Sequence, residues 1–516
     1  MFNALSAMND SPSVFPDWLT KGAAEFPERI ALVAGGRTWT YAELDTAATQ
    51  MARRLATLGA RNADRIATLL NNGATAAIIP HAAMRLGATL VPLNVRLTES
   101  ELAWQLGNCA PRLLIGEGRT LERLRAVSTD VLLVGVDAEG AELLGNSSLD
   151  DIEEADVPLR LSHEADSVLA IIYTSGTTGR PKGAMLTVGN FWWSAAGSAL
   201  NLGTEDNDRW LACLPLFHVG GLSIVIRSAI YGINAVIHDG FDPDAVNQAI
   251  DNDGITMVSV VSVMLERMLD ARDAKPFPPT LRVALVGGGP APRTLLERAI
   301  ASGIPIAQTY GLTEACSQVA TLQPDDAERK LGSAGRVLRP SELRISSSDE
   351  REAESNEEGE ILVKGPIVMA GYFGQPDATS RAIVGEWLHT GDVGRVDEDG
   401  YLFVLDRRDD LIVTGGENVY PAEVEAVLSL HPDVIEAAVI GVDDPQWGQR
   451  VVAIIRLDDK SNIARGNPQD LQNFCRAQLA GYKTPKEIRF TTDPLPRTSS
   501  GKLRRAALRE SAKMSS

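Results

Sequence analysis

The chain has 516 residues, of which 44% are apolar and 23% are charged, and its 49 Lys and Arg against 68 Asp and Glu give a net charge of −19. This composition is typical of a folded protein with about three folding units, and it excludes disordered, collagen-like and disulfide-stapled classes. The acidic balance repels polyanions, so we expect no nucleic-acid partner and expect any anionic ligand to be held by local groups.

The lack of an export or membrane signal and the spacing of the cysteines both indicate a cytoplasmic protein. The N-terminal segment lacks a basic start followed by an apolar stretch, and no window of about 18 residues is apolar and free of charge. We therefore expect neither export nor membrane insertion. The cysteines are far apart and form no CxxC pair, which argues against structural zinc and indicates a reducing compartment. They are Cys109, Cys213, Cys316 and Cys475.

The first part of the chain alternates helix and strand patterns. A capping box of Thr40 and Glu43 begins an amphipathic helical pattern that ends at Gly59. Short apolar runs predict strands at 65–70, 88–93 and 281–286. The last of these runs leads directly into three consecutive glycines. This alternation is typical of parallel sheets covered by helices.

The later part changes pattern twice. The polar, acidic stretch 346–359 predicts an exposed loop or hairpin turn in a β-rich region. After 406–410, Pro421 begins a new helical pattern. Further apolar patterns predict strands at 435–442 and 450–456, a helix near 469–480 and a strand near 488. These elements predict a small α+β domain of about a hundred residues.

The segment YTSGTTGRPKG at 173–183 carries the strongest chemical signal. It follows an apolar run at 168–172, and its glycines and hydroxyl residues allow a tight bend that directs N–H and O–H donors toward a polyphosphate, with Lys182 adding charge. The spacing differs from GxxxxGK[ST], so the ordinary P-loop reading fails. The alternative is a flexible surface loop.

With this loop, the sequence resembles the adenylate-forming ligases, the superfamily of acyl-CoA synthetases, luciferases and peptide-synthetase adenylation domains. Four further segments match in order, so the resemblance spans essentially the whole chain. They are LPLFHVGG at 214–221, QTYGLTEA at 308–315, LHTGD at 388–392 with DRRDDLIVTGGENVYPAEVE at 406–425, and PRTSSGKLRR at 496–505.

The resemblance implies an α/β fold with two domains joined by a hinge. A large N-terminal domain, 1–405, would hold parallel-rich sheets covered by helices plus a β-barrel-like region. A hinge at 406–410 would connect it to a small mobile α+β domain at 411–516. The implied activity is that of an AMP-forming acid–thiol ligase, with Mg²⁺ as cofactor and ATP, coenzyme A and a small carboxylic acid as substrates.

The ATP and metal residues follow from the matched motifs. Glu314 offers a hard oxygen ligand for Mg²⁺ on ATP phosphates, and Thr174 is its companion in the family. Tyr310 offers an aromatic face for adenine, and Asp392 can accept hydrogen bonds from the ribose hydroxyls. As isolated features these residues would be a solvated loop acid, a core tyrosine and a surface charge. The expected ATP site comprises Thr174, Ser175, Gly176, Thr177, Thr178, Gly179, Lys182, Gly288, Gly289, Tyr310, Gly311, Thr313, Asp392 and Arg407.

The C-terminal motifs imply a catalytic lysine, a hinge and a tunnel. Lys502 matches the family's adenylation lysine; the alternative is a solvated basic tail. Asp409 matches the hinge position, although Asp406 stands where many relatives have Gly. Gly415 and Gly416 would line the coenzyme A tunnel. His218, expected to be catalytic, matches a gate position between the acyl pocket and the phosphates; the alternative is a packed core histidine.

Finer resemblance in four segments, at 214–232, 286–297, 308–322 and 330–338, is to the menaquinone-pathway branch of the family, whose substrate is an aromatic keto-diacid. Its second carboxylate needs a partner, for which Arg227 is the obvious cation. A helix-surface position for Arg227 and structural roles for the serines are the alternatives. The candidates are Arg227, Ser259, Ser262, Ser317 and Gln318.

Three other functions stay open on the sequence alone. They are a fatty or aryl acid–CoA ligase, a stand-alone adenylation protein that loads a carrier protein, and a non-catalytic ATP-responsive binding protein. The sequence also leaves the oligomeric state open, with a homodimer and a homotetramer as alternatives.

Overall fold

The computed structural model describes residues 13–127, 131–136, 149–174, 181–273, 275–289, 291–347, 351–406, 411–457, 468–496, 503 and 505–514. The strands, numbered in chain order, are β1 Val14–Pro16, β2 Ile30–Ala34, β3 Arg37–Thr40, β4 Arg65–Leu69, β5 Thr89–Pro92, β6 Leu113–Glu117, β7 Leu132–Val136, β8 Ser162–Glu164, β9 Val168–Thr174, β10 Lys182–Thr187, β11 Arg209–Ala212, β12 Asn234–Ile237, β13 Met257–Val260, β14 Val283–Val286, β15 Ile306–Leu312, β16 Ser317–Thr321, β17 Arg336–Val337, β18 Glu342–Ser346, β19 Gly359–Lys364, β20 Gly371–Tyr372, β21 Ile383–Val384, β22 Trp387–Val396, β23 Leu402–Asp406, β24 Ile412–Thr414, β25 Glu417–Val419, β26 Val434–Asp444, β27 Gly448–Leu457 and β28 Glu487–Thr491.

The α-helices are α1 Trp18–Glu25, α2 Tyr41–Thr57, α3 Ala74–Leu86, α4 Glu99–Cys109, α5 Gly118–Val127, α6 Val188–Leu202, α7 Val219–Tyr231, α8 Pro243–Asn252, α9 Ser262–Ala271, α10 Arg293–Ala301, α11 Pro376–Ala382, α12 Pro421–Leu428, α13 Pro468–Arg476 and α14 Arg505–Met514.

Two large sheets with parallel centres carry the N-terminal part. One has seven strands in the order β20-β10-β9-β5-β4-β6-β7, and the other has nine in the order β17-β16-β15-β14-β13-β11-β12-β2-β3. Their inner strands pair in parallel, and antiparallel strands extend one end of the seven-stranded sheet and both ends of the nine-stranded sheet. The predicted α/β class with parallel-rich sheets and helices is confirmed. Inner strands such as β13 and β14 are buried along their whole length, which explains their continuous apolar sequences.

The predicted capping box is present at the start of α2. The backbone N–H of Thr40 donates to Glu43 Oε2 at 2.8 Å, and the N–H of Glu43 donates to Thr40 Oγ1 at 3.2 Å. The apolar stripe behind it is buried at Leu44, Ala48 and Leu55. Local spacing therefore determines both where this helix begins and which face it buries.

The β-rich region lies after the two large sheets. It is a five-stranded antiparallel sheet of β18, β19, β22, β21 and β23. Strands β18 and β19 pair antiparallel around the acidic stretch 346–359, as the polarity of that stretch predicts.

The C-terminal part has its own sheet and its own core. Strands β24 to β28 form one five-stranded sheet, and α12 and α13 pack against it around a buried cluster that includes Val424, Val439 and Leu471. The helix beginning at Pro421 and the strands near 435–442, 450–456 and 488 are confirmed, and the helix predicted near 469–480 is Pro468–Arg476. Residues 407–410 of the predicted hinge lie outside the described residues, so the domain boundary at 406–410 stays a prediction.

Two further sequence expectations concern membrane-spanning helices and the cysteines. In the described ranges, no helix combines the length and the apolar character that a membrane crossing requires. All four cysteines are buried free thiols. Burial raises the pKa of the Cys213 and Cys316 thiols to about 12, which disfavours the nucleophilic thiolate form of both.

Candidate active site

Three cavities lie where the carboxyl ends of the large sheets face the C-terminal part. The polar cavity is lined by Thr174, Glu314, Tyr372, Asp392 and Glu417, among others. A second cavity, called the Arg227 cavity, is lined by Arg227, Ser259, Gly288 and Gln318 among others, and it shares lining residues such as His218 with the polar cavity. A third, called the Tyr310 cavity, is lined by Gln308, Tyr310 and Val413 among others. Clefts at the carboxyl ends of strands are where ligands bind in open α/β sheets. The site is therefore placed by topology as well as by motif.

Glu314 carries the acidic chemistry of the polar cavity. It lies in the short turn Thr313–Ala315 between β15 and β16. Its Oε1 accepts a hydrogen bond from the Tyr372 hydroxyl at 2.8 Å and lies 3.3 Å from Thr174 Oγ1. The two predicted metal residues are thus brought together, with one carboxylate and one hydroxyl facing the cavity. Such a hard, sparse oxygen set suits Mg²⁺ that is held mainly by substrate phosphates.

Tyr310 and Asp392 are joined. The buried Tyr310 hydroxyl donates to Asp392 Oδ2 at 2.6 Å. Tyr310 and Gly289 line the Tyr310 cavity, whereas Asp392 lines the polar cavity. The two predicted nucleotide residues therefore connect adjacent cavities, as a ligand with a base at one end and phosphates at the other requires.

Gly311 is required by a close backbone approach. A Cβ at this position would lie 1.6 Å from the carbonyl oxygen of Ser317. Gly311 and its neighbour Thr313 both line the polar and the Arg227 cavities. Any side chain here would push apart β15 and β16, so this glycine keeps the passage between the two cavities narrow and shaped by backbone atoms.

His218 stands between the polar cavity and the Arg227 cavity and lines both. It precedes α7, and its Nε2 lies 3.1 Å from Oε2 of Glu417, which comes from the C-terminal part. Glu417 is 2% exposed. Its other partners are Arg96, whose Nη1 donates to Oε1 at 2.9 Å, and Asn94, whose Nδ2 donates to Oε2 at 3.2 Å.

Charge balance keeps Glu417 ionised. Burial by itself raises the pKa of this carboxyl, but His218 and Arg96 act against burial and hold the pKa below its ordinary value. A buried carboxylate is stable only with such partners. The contact therefore ties an anion of the C-terminal part to the gate position of the N-terminal part.

Arg227 lies inside helix α7 and is 2% exposed. Its Nη2 donates to Ser194 Oγ at 2.9 Å, and its Nε has no hydrogen-bond partner. Burial lowers the pKa of Arg227 from its ordinary value. Within the described residues, no carboxylate forms an ion pair with it. A buried guanidinium without a counter-ion is costly, so this position is suited to an anionic ligand.

Other predicted acyl-site residues surround the same cavity. Ser259, Ser317 and Gln318 line it, and the buried Gln318 amide has neither its oxygen nor its nitrogen hydrogen-bonded within the described structure. Ser259 Oγ accepts from the Trp210 indole at 3.0 Å. Ser262 begins α9 and is not among the residues that line this cavity.

The glycines of the two parts meet at this cavity. Gly288 and Gly416 both line it, with φ values of 77° and 83°. Gly415 has φ 57°, and a Cβ there would lie 2.8 Å from the Trp447 ring.

Lys182 begins β10, with its ammonium 4.9 Å from the centroid of the Tyr372 ring.

Several predicted residues lie outside the described residues, so their roles stay predictions. They are Ser175, Gly176, Thr177, Thr178, Gly179, Arg407, Asp409 and Lys502.

Other residues at the site were missed by sequence reasoning. Tyr372 and Ser194 lie outside every quoted motif, and Arg96 is remote in sequence from the Glu417 that it binds. A single sequence offers no signal for such pairs, because each depends on contacts made between distant segments.

Two family models match the chain over these regions. The model for the AMP-binding enzyme covers residues 19–373, and the model for the AMP-binding enzyme C-terminal domain covers residues 423–502. The chain belongs to the AMP-binding enzyme family.

Individual relatives narrow the comparison. The 2-succinylbenzoate–CoA ligase of Geobacillus kaustophilus is 48% identical over 500 residues, covering 96% of this chain and 98% of the relative. A double mutant of o-succinylbenzoate CoA synthetase from Bacillus subtilis, bound to its product analogue OSB-NCoA, has a TM-score of 0.89 at 40% identity, covering 96% of this chain and 99% of that one.

The same Bacillus subtilis enzyme in complex with ATP and magnesium ion has a TM-score of 0.72 at 39% identity, covering 97% of this chain and 100% of that one. The finer resemblance predicted from the sequence, to o-succinylbenzoate–CoA ligase, is confirmed by these similarities.

Proposed function

We propose that this protein is an AMP-forming acid–CoA ligase that converts o-succinylbenzoate to o-succinylbenzoyl-CoA through an acyl adenylate, a step of menaquinone biosynthesis. The observation that carries the choice of acid is Arg227, a buried cation at a ligand-sized cavity without a carboxylate partner among the described residues. The similarity to 2-succinylbenzoate–CoA ligases supports the same assignment.

The first half-reaction activates the acid. A carboxylate resists attack because a nucleophile must add charge to an anion, so the acid first attacks the α-phosphorus of ATP and expels pyrophosphate. Bound Mg²⁺ would supply charge neutralisation on the phosphates, with Glu314 and Thr174 as its protein ligands. Asp392 would hold the ribose, and Lys502, placed by its motif, would stabilise the in-line transition state.

The second half-reaction transfers the acyl group to the thiol of coenzyme A. By family resemblance, the C-terminal part rotates about Asp409 between the two steps, and Gly415 and Gly416 then line the thiol's path. The contact between Glu417 and His218 suits this second arrangement. The higher TM-score with the product-analogue complex, 0.89 against 0.72 with the ATP and magnesium complex, supports the same interpretation.

His218 would act as the gate of this second step. It lines both the Arg227 cavity and the polar cavity, and its Nε2 lies 3.1 Å from Oε2 of Glu417 in the C-terminal part. A histidine so held can open the passage only when Glu417 is in place, which links thiol entry to the arrangement of the C-terminal part.

The Arg227 cavity would bind the acyl group, with the benzoate carboxylate at Arg227. The guanidinium keeps donors beyond the one that it gives to Ser194, and the Gln318 amide adds further hydrogen-bonding capacity. A bidentate pair with a carboxylate would satisfy both the ligand and the buried cation. A fatty acid offers no group for this position, so the cavity favours a diacid.

A panel of acids tests this function. ATP-dependent pyrophosphate release would be measured with o-succinylbenzoate, with the same keto acid lacking the ring carboxylate, and with a long-chain fatty acid; the thioester would then be identified by mass. We expect o-succinylbenzoate to be the best substrate. An inert o-succinylbenzoate beside an active fatty acid would overturn the assignment, and thioester formation only on a carrier protein would favour the adenylation-protein alternative.

Location and assembly are also proposals. The buried free thiols support a cytoplasmic location, as the sequence predicts. Sedimentation would distinguish a monomer from a homodimer or homotetramer.

A further inference from the structure

A buried ion cluster joins the C-terminal part to helix α4. Lys483 Nζ lies 2.6 Å from Oε1 of Glu101 and 2.8 Å from Oε1 of Glu423. The three side chains are all less than a tenth exposed. Glu101 lies on α4 in the N-terminal part, whereas Lys483 and Glu423 both belong to the C-terminal part. Only the contact with Glu101 crosses between them.

The start of α4 and the residues just before it make further polar contacts to the C-terminal part. Ser100 Oγ donates to the Gln478 carbonyl at 3.2 Å, and Arg96 and Asn94 bind Glu417. The segment 94–101 therefore forms one docking corner. Lys483 supplies the deepest of its contacts, and Glu417 supplies the contact that leads to His218.

Stabilisation of the fold alone does not explain this buried ion cluster. Two carboxylates share one ammonium away from water, and Oε2 of Glu423 has no hydrogen-bond partner in the described part of the chain. Burial raises the pKa of Glu423 despite its lysine. Apolar residues at buried ion pairs are often as stabilising as the ions, so a geometric role is the better explanation of their presence.

The cluster is also built to separate. Oε2 of Glu101 accepts from the N–H and from Oγ1 of Thr98, at 2.7 and 2.8 Å, in the capping box of α4. Lys483 keeps Glu423 on its own side. If the two parts move apart, each charge therefore retains a partner, and only the bond between Glu101 and Lys483 is lost. An ion pair that never separates would not require a second partner for Glu101 and for Lys483 within their own parts.

We propose that Glu101 and Lys483 form a latch that holds the C-terminal part in the arrangement in which Glu417 reaches His218. The latch favours thioester formation and opens when the C-terminal part returns for adenylation. Both are positioning residues, because they act through the placement of Glu417. Lys483 lies at the edge of the polar cavity, but its ammonium is bonded to the two carboxylates. This inference rests on the proposed two-step function.

Separate assays of the two half-reactions test the latch. In Glu101→Gln, thioester formation from supplied acyl adenylate and coenzyme A should fall about tenfold or more, since a lost coupling of 1–3 kcal/mol corresponds to roughly 5- to 150-fold. Pyrophosphate release without coenzyme A should stay within about twofold of the parent. Glu99→Gln, two residues earlier at the exposed start of α4, removes the same charge and should change neither rate.

The lysine side provides a second test. Lys483→Met should lose thioester formation as Glu101→Gln does, and the double variant should lose little more than either single variant, because both remove the same contact. Lys483→Arg, which keeps the charge, should retain more activity than Lys483→Met. Additive losses, or equal losses in both half-reactions, would show a structural ion pair and overturn the latch.

A distance measurement makes the test independent of the acid. Spin labels on Leu161→Cys and Leu430→Cys, both exposed, would report the separation of the two parts, and the four natural cysteines are buried. Glu101→Gln should broaden or shift the distance distribution of the ligand-free protein, and Glu99→Gln should not. An unchanged distribution refutes the latch, whereas a protein inert toward o-succinylbenzoate refutes only the proposed substrate.

Discussion

Replacing Arg227 by Met tests whether this arginine serves substrate binding or protein stability. The guanidinium is 2% exposed, donates one hydrogen bond to Ser194 and, within the described residues, has no carboxylate partner. In the complex it would pair with the benzoate carboxylate. Arg227→Met would leave that carboxylate buried and unpaired, which costs about 3–5 kcal/mol, or roughly 10²- to 4 × 10³-fold in kcat/KM.

The free protein should respond in the opposite sense. Methionine removes a buried charge that lacks a counter-ion, so the midpoint of thermal unfolding should equal or exceed that of the parent. The assay is steady-state thioester formation at varied o-succinylbenzoate, with unfolding followed by circular dichroism. A stable variant with a large loss of kcat/KM is the expected combination.

Two controls sharpen this prediction. Arg227→Lys keeps the charge but not the bidentate geometry, so its loss should be smaller. The keto acid without the ring carboxylate should be turned over no worse by Arg227→Met than by the parent, because it has no second anion to pair. A value of kcat/KM for o-succinylbenzoate within about threefold of the parent would refute the carboxylate role, since that change is under 1 kcal/mol.

Three further predictions concern catalysis and stability. Lys502→Ala should abolish acyl-adenylate formation while largely sparing thioester formation from supplied adenylate; equal loss of both would contradict the division of labour. Glu314→Gln should reduce pyrophosphate release about 10²-fold and raise the Mg²⁺ concentration needed for half-maximal rate, whereas an unchanged magnesium titration would remove it from the metal site. Burial lowers the pKa of His81 from 6.5 to about 4, so the unfolded chain binds a proton that the folded chain rejects. The stability contributed by neutral His81 is complete above pH 6.5 and falls by about 2 kcal/mol at pH 5. His81→Leu should therefore show a smaller decrease in urea midpoint between pH 7.5 and 5 than the parent, and parallel decreases would refute the titration.

Much of the fold and part of the site could be predicted from the amino-acid sequence, because those features depend on neighbours in the chain. The capping box at Thr40 and Glu43 is a three-residue spacing, and it determines the start of α2. Glu314 and Thr174 come from separate motifs, but each motif follows a strand that ends at the same cleft. Each strand is predictable by itself, but β9 and β15 belong to different sheets, so the approach of the two side chains to 3.3 Å depends on how those sheets pack.

The burial of Arg227 could not be predicted from the sequence. Its apolar surroundings in sequence suit either a helix surface with one charge or a buried helix, and a single sequence does not distinguish them. The structure decides in favour of burial, because α7 packs against neighbours on nearly every side, so that the charged residue has no route to water.

Contacts between the two parts were decided only by the tertiary structure. Glu417 meets His218 across 199 residues, and Lys483 meets Glu101 across 382. No local spacing reports such pairs, since their distance depends on how two separately folded cores dock. The sequence by itself therefore determines which chemistry is available, while the docking of the cores determines which charges face each other and when they can act.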